Sequence, residues 1–313
     1  MRQRTTKDVS ASAHKIPKVK RNHDETEARW KKSSLFALIV ILVLVPFILI
    51  VARELFQHLV YKYRIKVPLF VDLNTPIDFS LNHTINMYLT SEEGISLGVW
   101  HTVPESKWRE AQGKDIEWYQ STLNDGSPVF IYLHGNTGTR AATHRVGVAK
   151  LLSALGYHVL VPDYRGFGDS SGEPTEAGLT TDALHVYNWV KERSGSSLVV
   201  FWGHSLGTGV STNTAVKLVE QEPWAENKVV LPTGQNLRRM KSPLLFLHAE
   251  DDPALIQSAQ EVGPFQLYEV AVSTQNVDRV KFVSFEGYLG YVHNGLYRDP
   301  RLPGIIKNFV LSL

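Results

Sequence analysis

Residues 35–52, LFALIVILVLVPFILIVA, form an uncharged apolar run of 18 residues near the N-terminus of this 313-residue chain. At a helical rise of about 1.5 Å per residue, such a run extends about 27 Å, which is close to the hydrocarbon thickness of a bilayer. Pro46 lies inside the run, but membrane helices tolerate proline as a kink. The run therefore predicts one transmembrane helix, flanked by Trp30, Tyr61 and Tyr63 as interfacial aromatic residues.

The charges on the two sides of this run are unequal. The 20 residues before it contain seven Lys/Arg and the 20 after it contain four, so the positive-inside rule places the N-terminus in the cytoplasm and the C-terminal part on the other side of the membrane. We expect a basic cytoplasmic tail at 1–34, the helix at 35–52, a juxtamembrane connection at 53–75 and a globular domain at 76–313. Asn82-His83-Thr84 is the only N-x-[ST] sequon, and it lies on the predicted luminal side.

Composition excludes several functions of the globular part. Residues 1–32 contain ten Lys/Arg and four Asp/Glu, which leaves 23 basic against 27 acidic residues in the rest of the chain. This mildly acidic remainder argues against a nucleic-acid partner, because phosphate binding needs clustered basic residues. The chain contains no cysteine, so disulfides, thiolate nucleophiles and thiolate metal sites are excluded.

After residue 67, short apolar runs alternate with amphipathic stretches, which is typical of an α/β fold with a mostly parallel sheet flanked by helices. Strands are predicted at 94–103, 128–133, 157–162, 198–202, 243–248 and 279–285, and helices at 141–155, 180–193, 207–219, 254–274 and 302–311. The polar residues 105–127 are predicted to form a surface connection.

The pentapeptide Gly203-His204-Ser205-Leu206-Gly207 fits G-x-S-x-G and lies between the apolar strand LVVFW and a helix. In that context the pattern indicates a nucleophile elbow, in which flanking glycines permit a tight strand-to-helix turn and the serine projects from it. Ser205 is therefore the candidate nucleophile.

A second loop, His134-Gly135-Asn136-Thr137-Gly138, follows the strand VFIYL. Loops of this type supply one backbone N–H of an oxyanion hole, and the residue after the nucleophile supplies another. We expect the N–H groups of Asn136 and Leu206 to form this pair, and His134 to be structural. The loop Asp163–Ser170 lacks G-x-G-x-x-G spacing and is interpreted as scaffold.

The remaining members of a triad should follow Ser205 in the order acid, then histidine. The strand LLFLH ends in Ala249-Glu250-Asp251-Asp252, which makes Asp252 the first candidate for the acid and Asp251 the second. His293 is the last histidine of the chain and follows the strand VKFVSF, so it is the candidate base. No metal-ligand spacing is present, and neither a metal nor a cofactor is expected.

Together these residues resemble the α/β-hydrolase superfamily, and closely its membrane-anchored monoacylglycerol and lysophosphatidylserine lipase branch. The resemblance covers residues 60–220 and 241–313 and includes the stretches YLHGNTGTR, WGHSLGTGV, SPLLFLHAEDDP and LGYVH. It implies that Ser205, Asp252 and His293 are the triad and that Asn82 is a glycosylation site. It also implies hydrolysis of lysophospholipids or monoacylglycerols, with no cofactor, by a luminal domain anchored in the endoplasmic reticulum membrane.

The chain departs from this family between the nucleophile helix and the acid-bearing strand. Only Gln221–Lys241 joins them, whereas the family has a further core strand and a lid there. We therefore expect one core strand and the lid to be shortened or missing. This leaves two alternatives to an active lipase: an impaired or inactive splice or gene-model variant, and a peptidase on the same fold. The oligomeric state cannot be predicted from the sequence.

Overall fold

A computed structural model of the chain describes residues 18–221, 242–253, 264–274 and 277–313. The chain forms two compact units, Met1–Phe56 and Gln57–Leu313.

Helix α1 begins at Lys18 and ends at Tyr61, and Pro46 does not interrupt it. Its segment Arg29–Tyr61 is the one helix in the described ranges that is long and apolar enough to cross a membrane, with a mean hydropathy of 3.4 in its most apolar window. All side chains of residues 35–52 are exposed. Length, composition and exposure of this helix are thus those of a candidate membrane span.

Five strands form a mixed sheet in the order β1-β2-β4-β3-β5. They are β1 Thr84–Glu92, β2 Ile95–Thr102, β3 Val129–Leu133, β4 His158–Pro162 and β5 Val199–Gly203. Strand β2 pairs antiparallel with β1 and β4, with Ile85 of β1 opposite His101, whereas β3 pairs parallel with β4 and β5. The carboxyl ends of the three parallel strands meet at one edge, where functional loops of α/β folds lie.

A second, two-stranded sheet contains β6 (Leu244–Ala249) and β7 (Val280–Phe285), which pair parallel with Leu244 opposite Val280. The strand and lid that were expected to be shortened fall on residues 222–241, outside the described residues.

Helices cover both faces of the strands. Besides α1 they are α2 Ile116–Thr122, α3 Thr143–Ala154, α4 Glu176–Arg193, α5 Leu206–Gln221, α6 Pro264–Thr274 and α7 Leu302–Leu311. Val186 of α4, Val210 of α5 and Ala271 of α6 belong to one buried core cluster. Leu152 of α3 and Ile306 of α7 belong to the other. The predicted α/β architecture, with helices flanking a mostly parallel set of strands, is confirmed.

The structure differs from the sequence prediction in three places. Helix α4 begins at Glu176 rather than at 180, because the Thr175 hydroxyl accepts a hydrogen bond from the Gly178 N–H and caps the helix. Strand β1 was not predicted. The prediction that 105–127 is only a surface connection is wrong: helix α2 lies there, and Tyr119 and Leu123 are buried.

A buried ion cluster joins the loops after β3 and β4. The Arg140 side chain is fully buried, and its Nη1 donates to Asp163 Oδ2 at 2.8 Å and to Asp169 Oδ1 at 2.6 Å. The Arg140 backbone N–H also donates to Asp163 Oδ1 at 2.7 Å. Asp163 is itself fully buried, so the loop after β4 is held to the loop after β3 by paired charges.

Replacing Arg140 with methionine is expected to lower the free energy of unfolding by about 3–5 kcal/mol, because it leaves the Asp163 carboxylate buried without its cation. Arg140→Lys keeps a positive charge, so its free energy of unfolding should fall by less than that of the methionine variant. Urea unfolding of both variants in detergent, followed by tryptophan fluorescence, measures the difference. A methionine variant as stable as the original chain would contradict this account of the cluster.

Candidate active site

Ser205 lies in the turn between β5 and α5, with φ +54°. Left-handed backbone is unusual for a residue other than glycine, and here the hydrogen bonds from Gly207 N to His204 O and from Thr208 N to Ser205 O hold it, both at 2.9 Å. The serine therefore projects from a strained strand-to-helix turn, at the N-terminus of α5.

The two glycines of the pentapeptide are required by close backbone contacts. A Cβ on Gly203 would lie 2.6 Å from the Gly207 carbonyl oxygen, and a Cβ on Gly207 would overlap the carbonyl oxygen of Leu133. Helix α5 thus packs directly against the end of β3. This contact explains the glycine positions that the sequence pattern showed.

Asp252 and His293 lie in contact. His293 Nδ1 is 2.8 Å from Asp252 Oδ2, and Asp252 is buried just beyond the end of β6. A carboxylate accepts, so Nδ1 carries the proton of this hydrogen bond and Nε2 of a neutral ring keeps its lone pair. His293 therefore has the orientation that a general base needs.

The neighbouring carboxylate of Asp251 has a different partner. Both of its oxygens accept from the backbone N–H of Val292, at 3.0 and 3.1 Å. Val292 has φ +49°, which is a strained conformation for a β-branched residue. Asp251 thus holds the turn that carries His293, while Asp252 contacts the ring itself.

Ser205 and His293 border the same two cavities. The His204 ring, next to Ser205 in the chain, contacts His293: its centroid is 4.9 Å from that of the His293 ring, and its Nε2 is 2.9 Å from the His293 carbonyl oxygen. In the part of the chain that the structure describes, no hydrogen bond joins Ser205 to His293. Such pairs are often loose without substrate.

The loop after β3 lies against Ser205. A Cβ placed on Gly135 would be 3.3 Å from the Ser205 Cβ. The Asn136 side chain turns away and donates to the Val60 carbonyl at 3.0 Å. Asn136 and Leu206, whose N–H groups were expected to stabilise an oxyanion, are thus on the two segments that meet at Ser205.

Buried donors orient the peptide groups of this loop. The Gly135 carbonyl accepts from His134 Nδ1 at 2.7 Å and from Arg145 Nη2 at 3.5 Å, and Arg145 Nη2 also donates to the Thr137 carbonyl. In a trans peptide the N–H points opposite to the C=O. Donors on the Gly135 carbonyl therefore direct the Asn136 N–H away from Arg145.

Two cavities meet at Ser205. One, of about 360 Å³, is mostly apolar and is bordered by Val148, Trp202, Phe246, Leu267 and Leu296. The other, of about 430 Å³, is bordered by Val67, Pro68 and Asn294 and by the loop 135–138. Both cavities reach Ser205, which leaves space beside the serine for a bound substrate.

Burial holds several histidines of the site in the neutral form. It lowers the pKa of His144 to about 3 and that of His204 to about 4, with neighbouring positive groups adding to the effect. The pKa of His134 is also far below its usual value, mainly because the ring is fully buried. Proton transfer by these rings near neutral pH is thus disfavoured.

Acidification is expected to destabilise the fold through these rings. The unfolded histidines bind protons near pH 6.5, whereas His144 and His204 resist protonation until pH 3 to 4, so the free energy of unfolding falls as pH drops from 6.5. At pH 4, each of these two rings lowers the free energy of unfolding by roughly 3 kcal/mol relative to neutral pH. Urea unfolding between pH 7 and 4 should show this slope, and it should be shallower in His144→Gln. An unchanged slope in that variant would contradict the assignment.

Within the described ranges, no group of three or more His, Asp or Glu side chains is placed to hold a metal ion.

The fold and the site together define an α/β-hydrolase. Residues 128–223 match the sequence model of the alpha/beta hydrolase fold family. Among solved structures, an esterase of Pyrococcus furiosus, Pf2001, is similar to this chain with a TM-score of 0.57 at 18% identity, over 79% of this chain and 97% of the esterase. At that identity the likeness concerns the fold.

Closer relatives specify the family. Lysophosphatidylserine lipase ABHD12 of Xenopus tropicalis is 39% identical over 90% of this chain and 83% of its own length. Human protein ABHD12B is 41% identical over 82% of this chain and 80% of its own length. The chain belongs to this ABHD12 family of α/β-hydrolases, and it is a carboxylic ester hydrolase.

Three features that support the site were not predicted from the sequence. Arg145, His204 and the Val67–Pro68 wall are brought to it by the fold. His204 could have been found from the sequence, since it lies inside the pentapeptide that contains Ser205. Arg145 had none beyond its position after the glycine loop, because a buried arginine cannot be distinguished from a surface one by helix spacing alone.

Proposed function

We propose that the chain is a membrane-anchored serine lipase that cleaves the ester of a single-chain lipid, a lysophospholipid such as lysophosphatidylserine, a monoacylglycerol, or both. The observation that carries this proposal is the His293–Asp252 contact of 2.8 Å beside the strained turn of Ser205. The names of the relatives supply the substrate class.

In the proposed reaction, His293 Nε2 removes the proton of the Ser205 hydroxyl as Oγ attacks the ester carbonyl carbon. The carbonyl oxygen becomes an oxyanion, which the Asn136 and Leu206 N–H groups stabilise, assisted by the N-terminus of α5. Asp252 keeps Nδ1 protonated and stabilises the imidazolium. When the tetrahedral intermediate collapses, the bond to the alcohol oxygen breaks and His293 returns the proton to that oxygen, leaving an acyl-enzyme.

Water then completes the cycle. His293 removes a proton from a water molecule, whose oxygen attacks the acyl carbon, and the same two N–H groups bind the second oxyanion. Collapse releases the fatty acid, and the proton returns to the Ser205 oxygen. The proposed reaction uses no cofactor.

The two cavities suit such a substrate. The apolar cavity at Trp202 and Phe246 is of the right character for an acyl chain, and the cavity beside the loop 135–138 leaves space for a headgroup. The apolar helix would retain the enzyme at the bilayer that holds the lipid.

For the membrane arrangement we propose residues 1–34 as a cytoplasmic tail, 35–52 as the span, 53–75 as the connection and 76–313 as the luminal hydrolase domain of a type II protein in the endoplasmic reticulum. The exposed helix and the charge asymmetry support this arrangement. Asn82 is exposed, as N-glycosylation in the lumen requires.

The proposal is tested with membranes that contain equal amounts of the full chain or of Ser205→Ala. Both are supplied with lysophosphatidylserine, lysophosphatidylcholine, a monoacylglycerol and a peptide amide, and released fatty acid or peptide is measured. We expect fatty-acid release that depends on Ser205 from at least one of the first three substrates.

Two outcomes would contradict the proposal. Release that is absent from every substrate would favour an inactive variant of the lipase. Cleavage of the peptide amide alone would favour a peptidase.

A further inference from the structure

Residues 62–70, KYRIKVPLF, follow α1 directly and form an exposed segment, which we call the rim segment. Phe70 is fully exposed and Leu69 is 64% exposed, while about half of the surface of Ile65 and Val67 is open. Isolated apolar side chains on a surface are ordinary, but four exposed apolar side chains within residues 65–70 favour an interaction site.

The rim segment is also basic. Lys62, Arg64 and Lys66 are exposed between the apolar residues, and the segment contains no acidic residue. Apolar side chains interspersed with cations are the composition of surfaces that lie in the interface of a bilayer, where cations meet lipid phosphates. A purely apolar protein partner would leave these charges without counterparts.

The segment has a fixed conformation against the catalytic domain. The Gly138 N–H donates to the Ile65 carbonyl at 2.9 Å, and the Thr139 N–H donates to the Val67 carbonyl at 3.0 Å. A Cβ on Gly138 would lie 2.8 Å from that Val67 oxygen. The rim segment is thus attached by its backbone to the glycine loop beside Ser205, while the side chains of Leu69 and Phe70 remain exposed.

Both ends of the segment are anchored in the core. Tyr63 is buried and packs on Phe167, with ring centroids 6.3 Å apart, and Leu73 is buried beyond the other end. Between these anchors Phe70 has φ +57°, a strained backbone for an aromatic residue. The anchors on either side hold the segment in place while the Phe70 ring stays open to solvent.

The segment also borders the site. Val67 and Pro68 form one wall of the cavity that reaches Ser205, Asn136 and His293. A bilayer at the rim segment would therefore lie beside the opening through which a lipid enters.

We propose that the rim segment is a membrane-contact surface, which inserts Leu69 and Phe70 into the lipid interface beside the mouth of the catalytic cavity. The inference rests on the proposed function only in taking α1 as a membrane helix. It makes the enzyme contact the bilayer at two places, the helix and the cavity mouth, so that a single-chain lipid need not cross water to reach Ser205.

The chain contains no cysteine, which allows a direct test in the full-length protein. Phe70→Cys is labelled with an environment-sensitive fluorophore and reconstituted into phosphatidylcholine vesicles with a minority of phosphatidylserine. Ser196→Cys is the control, because Ser196 is exposed and precedes β5, at the opposite edge of the parallel strands from Ser205. Labelled Leu69→Cys serves as a second probe should Phe70→Cys fail to fold.

We expect blue-shifted emission at position 70 and loss of more than half of its intensity when the vesicles contain a nitroxide-labelled lipid, with neither change at position 196. Emission equal to that of the control at positions 70 and 69 would overturn the inference. So would a blue shift that the lipid nitroxide does not quench, because a second copy or another protein would then cover the segment. The fluorescence does not require hydrolysis, so a chain that inserts but cleaves no lipid overturns the proposed function alone.

Discussion

Replacing Ser205 by alanine is expected to lower kcat for ester hydrolysis by about 10⁶-fold, the loss that follows removal of a triad nucleophile. With Ser205 absent no acyl-enzyme can form, and only the N–H groups of the site and substrate binding remain to accelerate attack by water. The rate is measured on a water-soluble ester in detergent, so that access to a membrane does not limit it.

Ser211→Ala is the matched control for this substitution. Ser211 lies in the same helix and its hydroxyl donates to the Thr208 carbonyl at 2.9 Å, so its loss should leave kcat in the same order of magnitude. If Ser205→Ala hydrolysed the ester as fast as the Ser211 variant, another residue would have to be the nucleophile.

The second large effect is expected at Asp252. Asparagine there keeps the size of the side chain but removes the charge that holds the Nδ1 proton of His293, and the amide can select the wrong tautomer of the ring. We expect kcat to fall by about 10⁴-fold. Asp252→Asn should retain the thermal unfolding midpoint to within a few degrees, because the contact with His293 is replaced by a neutral hydrogen bond.

Asp251→Asn is the comparison that decides between the two neighbouring acids. The Asp251 carboxylate accepts from the Val292 N–H, and an asparagine oxygen can still accept that bond. We therefore expect a loss well below that of Asp252→Asn. The reverse order of effects would make Asp251 the triad acid.

The parts of the site that depend on a short sequence motif or on the order of strands and helices could be predicted. Ser205 lies between a strand and a helix. Position 207 must be glycine because any larger residue there would overlap the Leu133 carbonyl, and this requirement is visible in the sequence. The final helix was predicted with the bounds it has, Leu302–Leu311, because its apolar periodicity is strong and two prolines bracket its start. Asp252 and His293 were predicted from the order of elements, and the structure brings their side chains together.

What could not be predicted depends on contacts between distant residues. Strand β1, TINMYLTSE, has few apolar residues because it lies at the edge of the sheet and one of its faces is open. The pairing of Arg140 with Asp163, and of the rim segment with Gly138 and Thr139, joins segments 23 and about 70 residues apart. No repeating pattern in the sequence indicates either pairing, so neither could be inferred from the sequence.

The central claim is that Ser205 is the nucleophile of an ester hydrolase, and a covalent adduct tests it most directly. Membranes that contain the full chain are treated with a fluorophosphonate, and the modified residue is located by mass spectrometry of the digested protein. We predict one adduct, on Ser205, that is lost in Ser205→Ala and reduced in His293→Ala. A chain that forms no adduct, or forms it on another residue, would contradict the account.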